Sequence, residues 1–177
     1  MQKIASAATL LLILALPTAA AAATSVTLAP PASVSFAATL DGTDTSGSYN
    51  LAIPVTYTSS SNNALAINGW HLTATSTTFK GTAKGKTLST TASTITAFTD
   101  SPGCTLANCT DPANSVAYPL VIPAGTIAPA AVSAYSAAAN TGTGGNTVTM
   151  QVSVGIPANT FSDTYKSTLT LAVIEGP

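Results

Sequence analysis

Residues 48–59 read SYNLAIPVTYTS. Tyr49, Leu51, Ile53, Val55 and Tyr57 fall on one phase, with small or polar residues between them. That is the period of a strand with one face in a core and the other in water. A helix would place its apolar residues three and four apart instead. Pro54 sits on the outward phase and has no N–H for a ladder, so this strand is expected at a sheet edge or with a bulge.

The same alternation returns in NTVTMQVSVGIPA (146–158), through Val148, Met150, Val152, Val154 and Ile156, and in DTYKSTLTLAVIEG (163–176), through Tyr165, Leu169, Leu171 and Val173. With the turn-rich PANTFSD between them, these two runs read as a closing hairpin. Weaker strands are expected in SVTLA, SVSFAATL, AINGWHLTAT, STITAF, SVAYPLVIPA and AAVSAYSAA. DGTDTSG, KGTAKGK, DSPG and NTGTGGN supply turns at sandwich-like intervals. The sequence therefore predicts an all-β protein: one β-sandwich of about eight or nine mostly antiparallel strands with Greek-key, immunoglobulin-like character.

The beginning of the chain is different. MQKIASAATLLLILALPTAAAAA carries one charge at Lys3, an apolar run from Ile4 to Leu16, Pro17 and a tract of small residues. This is the pattern of a secretory signal peptide over 1–23, with cleavage expected after Ala23 and the sandwich occupying 24–177. The apolar run is too short to span a bilayer, and no membrane span is expected in the mature chain. The last residues, TLAVIEGP, hold no hydrophobic tail or sorting sequence, so no covalent anchor is expected.

Only 6% of the 177 residues are charged, and none is arginine. Without a basic stripe or a guanidinium fork, no nucleic-acid partner is expected. Cleavage leaves four lysines against six acids, a formal net charge of −2, and polarity then comes from Ser, Thr and Asn. A weakly charged surface of this kind favours self-association or attachment to a wall.

The chemistry-bearing residues are few. Trp70 and His71 are the single tryptophan and histidine. On a strand they face opposite ways: Trp70, Leu72 and Ala74 inward, His71, Thr73 and Thr75 outward. A catalytic His71 would need an orienting carboxylate and a nucleophile, and no informative spacing supplies them, so no catalytic residue, cofactor or metal site is expected. Asp41 and Asp44 in DGTDTSG lack the dense acids and terminal Glu of a calcium loop and read as turn residues. Lys80, Lys84 and Lys86 concentrate positive charge at a hairpin tip, suited to solubility or to acidic wall polymers. Asn108 in NCT fits the glycosylation triplet weakly. Cys104 and Cys109, in SPGCTLANCTD, are expected to form a disulfide in an exported chain.

GWHLTATSTTFKGTAKGKTLSTTASTITAF (69–98) resembles the first signature of the WxL-domain family of bacterial cell-surface proteins, with Trp70 and Leu72 as its W-x-L. The family's second W-x-L has a degenerate counterpart in YKSTLTLAVIEGP, where Leu171 replaces the tryptophan and Val173 ends the motif. The resemblance implies a secreted, cell-surface β-sandwich that binds peptidoglycan or other wall components noncovalently and serves adhesion, with Trp70 and Leu72 as motif-derived binding residues. A second reading is structural: a pilus-like subunit that polymerises by donating TSVTL to a neighbour's open edge, with APPA (29–32) as hinge. Other surface proteins or further copies of the chain are then its partners.

The disulfide is directly testable. Denatured, secreted protein should take up an alkylating label only after reduction, read by mass; two labels without reduction would show free thiols.

Overall fold

The computed structural model describes residues 24–59, 68–101, 103 and 111–176. Residues 1–23, expected as a leader, and Cys104, Asn108 and Cys109 lie outside the described residues.

Eleven strands occur among the described residues. They are β1 (Thr24–Leu28), β2 (Thr45–Ser59), β3 (Trp70–Thr77), β4 (Lys80–Gly81), β5 (Ser93–Ser101), β6 (Leu120–Val121), β7 (Ala124–Gly125), β8 (Val132–Ala137), β9 (Gly144–Ile156), β10 (Tyr165–Lys166) and β11 (Leu169–Glu175). One sheet runs β1-β2-β9-β5-β6; a second runs β11-β3, with β8 and the short parallel β7 on the far side of β3, and β4 and β10 pair as a small two-stranded sheet. The all-β sandwich is thus the observed fold, with a chain that crosses repeatedly between the two larger sheets, the last time between β9 and β11. The expected β9–β11 hairpin is corrected by this: β9 lies between β2 and β5, while β11 borders β3 in the opposite sheet. Alternation shows that each strand has a buried face, but both sheets bury theirs against the same core, so the period is blind to sheet membership.

β2 and β9 carry the longest ladder, from Thr45↔Ile156 to Tyr57↔Gly144. Its inner face contributes Ile53, Val55, Val148, Met150 and Val154, each at 0% exposure. Trp70, Leu72, Ala74, Ala134 and Tyr135 meet them from the other sheet. Pro54 is not on an outermost strand, yet the expectation holds locally. β1 pairs only with Val55–Ser59, and the Pro54 carbonyl accepts from Ala29 N at the point where β1 has ended. The missing proline donor therefore faces the side of β2 on which β1 has ended, while the other side stays paired with β9 through Thr147. SVSFAATL (33–40), expected as a strand, is irregular instead. Its approach contains Pro30 and Pro31, which cannot donate to β2.

Four aromatic rings tie the layers together. Trp70 stacks on Tyr135 at 5.1 Å with a 15° tilt, Tyr135 meets Phe98 edge-on at 5.2 Å, and Phe98 lies 5.7 Å from Tyr118. The indole Nε1 donates to Gly142 O at 3.1 Å, so the polar edge of the largest core side chain is satisfied. Gly142 has φ of 73°, and a Cβ there would come within 2.6 Å of that Nε1. Any other residue would strain the backbone and displace the indole together.

Trp70→Ala should cost about 3–5 kcal/mol of stability, as a large core truncation that also removes one of the two donors to the Gly142 carbonyl. Denaturant titration reads this directly, and an unchanged midpoint would contradict the core role of Trp70.

Candidate functional site

The two W-x-L positions, about a hundred residues apart in the chain, are cross-strand neighbours. β3 and β11 pair with Leu72 opposite Val173, Ala74 opposite Leu171 and Trp70 opposite Glu175. Trp70 and Leu72 are fully buried, and Leu171 and Val173 pack against the same core from half-buried positions. In the folded chain neither Trp70 nor Leu72 can touch a ligand. Any surface the motif presents consists of the outward residues between them: His71, Thr73, Thr170, Ala172 and Ile174.

His71 points outward as expected, level with Ser136 and Ile174 on the neighbouring strands. Its Nδ1 lies 2.8 Å from Gly176 O, and a carbonyl only accepts, so Nδ1 carries the proton. The ring is thereby engaged in holding the end of β11. Thr75 departs from the outward expectation. It is 8% exposed, covered by the segment after β7, and its Oγ1 donates to Pro129 O at 2.8 Å.

The titratable groups serve turns and struts. Asp41 Oδ1 accepts from Thr43 N and Thr43 Oγ1, an Asx-type turn that holds its carboxyl below the ordinary range. Asp44 Oδ1 instead accepts from Ala158 N at 2.8 Å, tying the start of β2 to the end of β9. No group of three or more metal-ligating side chains occurs among the described residues. Tyr135 OH donates to Asp100 Oδ1 at 2.9 Å and is also within 3.2 Å of Pro112 O. Burial pushes the Tyr135 hydroxyl far above its ordinary range. Burial likewise raises Asp100, opposed by the Tyr135 hydrogen bond and reinforced by the charge of Asp111. The pair is a strut that joins β8 to β5, with its proton held on the phenol.

Sequence reasoning missed Asp163. It sits beside the lysine turn, where its carboxylate accepts from Lys84 N at 2.7 Å and from Ala83 N at 3.1 Å. These bonds hold its carboxyl below the ordinary range, Lys84 N foremost. Lys86 Nζ lies 5.9 Å from the centre of the Phe161 ring. The only advance signal was an acid in a turn-rich stretch, which names a cap without naming its partner.

The broadest uniform surface among the described residues is the outer face of the β1-β2-β9-β5 sheet. Ser25, Thr27, Ser46, Ser48, Asn50, Thr56 and Thr58 point outward from β1 and β2. Thr147, Thr149, Gln151 and Ser153 continue them on β9, and Thr94 and Thr99 on β5. Asn50 lies opposite Gln151, Ser48 opposite Ser153, and Thr149 opposite Thr99. The β2–β9 ladder alone runs for thirteen pairs, about 40 Å of strand, without a charged side chain on this face.

Compared with protein-family models, with curated proteins and with solved structures, the chain matches none.

Asp163 generates a prediction with a defined sign. Its folded-state pKa is lowered, so the stabilisation it gives is complete above roughly pH 4, the ordinary carboxylate value, and is lost as pH falls through the lower folded value. Hydrogen exchange at the Ala83 and Lys84 amides should accelerate over that acid window beyond the intrinsic pH trend. Asp163→Asn should show the faster exchange already at neutral pH; equal protection in the variant would remove Asp163 from this role.

Proposed function

We propose that the chain is a noncatalytic bacterial surface protein, exported by its leader, that associates noncovalently with the cell wall and serves adhesion or surface assembly. The observation that carries the reading is the uncharged hydroxyl and amide face of the larger sheet. A glycan strand of peptidoglycan offers neutral hydroxyl and acetamido groups. These groups pair with Ser, Thr, Asn and Gln without the desolvation that a buried charge would impose. The resemblance of residues 69–98 to the WxL signature supports the same reading. With Trp70 and Leu72 inside, their part in it is to fix the β3–β11 pair rather than to meet the wall.

A second reading is favoured by the N-terminal segment. β1 is a five-residue strand at the edge of its sheet, followed by Pro30–Pro31 and by exposed chain up to Asp44. Here it pairs with β2 of its own chain, and donated to the same place on a second copy it would link subunits into a filament.

The mature chain from residue 24 should sediment with isolated peptidoglycan and remain bound at about 1 M salt, where Coulomb attraction is screened to roughly 3 Å. Thr149→Asp combined with Ser48→Asp should abolish sedimentation while leaving the melting temperature within a few degrees. Release by salt would move the contact to the lysine hairpin. Large polymers that ignore the wall and vanish when residues 24–32 are deleted would establish the filament reading.

A further inference from the structure

On the side where β2 and β11 turn their outer edges toward each other, the two sheets part around a cavity of about 500 Å³. This is within the range of small-molecule sites. Tyr49 and Leu51 of β2 form one wall, Leu169 and Leu171 of β11 the other, and Phe79 and Ile122 lie between them.

Ser167, Thr168 and Thr170 add polar groups to the β11 side, and two further polar groups inside the cavity are unexplained by the fold. Ser76 and Ser93 line the cavity and are 4% and 6% exposed. Their backbones are engaged, Ser76 N with Pro123 O and Ser93 O with Ile122 N. Their hydroxyls have no hydrogen-bond partner among the described residues, and neither is sealed off in the packed core, so both open onto the cavity. Buried hydroxyls are ordinarily bonded, and a pair left open in one cavity calls for a partner that enters it.

The lining holds no Asp, Glu, Lys or His, and its one titratable group, the Tyr49 hydroxyl, is pushed up by burial and stays neutral. An ion entering this space would lose its hydration with no countercharge in return.

The cover is light. Beyond Ala29, residues 30–36 follow β2 without a backbone hydrogen bond to it among the described residues. Phe36 alone clamps them, stacked on Tyr49 at 5.6 Å and edge-on to Phe79 at 6.2 Å. Gly47 leaves the room for this ring, since a Cβ there would meet it at 2.3 Å.

We propose that this cavity binds a neutral small molecule with an apolar body and an oxygen or nitrogen function that hydrogen-bonds Ser76 and Ser93, with residues 30–36 as a displaceable cover. The site is independent of the wall-facing surface, which lies on the opposite side of the larger sheet.

Nile red, a neutral apolar dye with a ring carbonyl, is the probe. Titrated into the folded mature chain, it should show saturable one-to-one binding with a blue-shifted emission. Ser93→Leu and Leu171→Trp fill the space from opposite sides, and each should weaken binding by at least about tenfold. The double variant Ser76→Ala with Ser93→Ala removes only the two hydroxyls. It should bind about fivefold more weakly with unchanged melting, and it keeps the test open if a filled variant does not fold. Absence of saturable binding to the wild type, or binding undiminished by filling and by loss of the hydroxyls, would overturn the site.

Discussion

The β2–β9 ladder is the constraint on which the rest of the molecule is assembled. Thirteen consecutive pairs fix one register. A slip of β9 by a single residue against β2 would turn Val148 and Met150 to water and bring Thr147 and Thr149 into the core. Once that register is set, the inner face has one shape, and the smaller sheet must fill it. Trp70 and Tyr135 do so as a stacked pair, and Tyr57 OH reaches across to Glu175 Oε1 at 2.9 Å, binding β2 to β11. The loop before β9 is drawn in by the same contact set, because Gly142 O accepts from both Trp70 Nε1 and Asn146 Nδ2.

How far the sequence was legible follows from which interactions are local. Alternation through Tyr49–Tyr57 and Val148–Ile156 is a property of each strand, and it gave the strands and their buried faces. Sheet membership depends on partners distant in sequence, which is why β11 was assigned to β9 although it belongs beside β3. The irregular course of 33–40 was masked by its own Val34 and Phe36, which have strand spacing; the prolines upstream decide the matter by removing donors. Trp70 was readable as core because a lone large aromatic on an alternating run has nowhere better to go. The Tyr135–Asp100 strut and the Asp163 cap were not readable, since each joins segments that only the fold brings together. The open hydroxyls of Ser76 and Ser93 were likewise invisible: among so many serines, only burial without a partner distinguishes two.

Low charge also shapes how the molecule meets its surroundings. With few ionic groups, several of those present are spent on the chain itself: Asp41 on a turn, Asp44 on Ala158, Asp163 on the lysine hairpin, Glu175 on Tyr57. The outer face of the larger sheet is a hydroxyl and amide surface, and in the proposed function its binding strength would come from many weak, geometrically repeated bonds. Such a surface suits a repetitive neutral polymer better than a single charged ligand, because each additional pair of residues along a strand meets another repeat.

The sandwich also leaves one long side open, and the reason is chemical. Leu28 pairs with Val55, and continuing that register would set Phe36 opposite Gly47, where its ring in fact rests. The chain thus keeps the path of a strand while Pro30 and Pro31 deny it the hydrogen bonds of one. A strand there would close β2 and exclude any ligand; a free loop would expose Tyr49 and Leu51 to water. Two prolines followed by one clamping phenylalanine give the intermediate state, a cover in register but not in ladder. The space beneath it is thereby covered along one side and left unfilled.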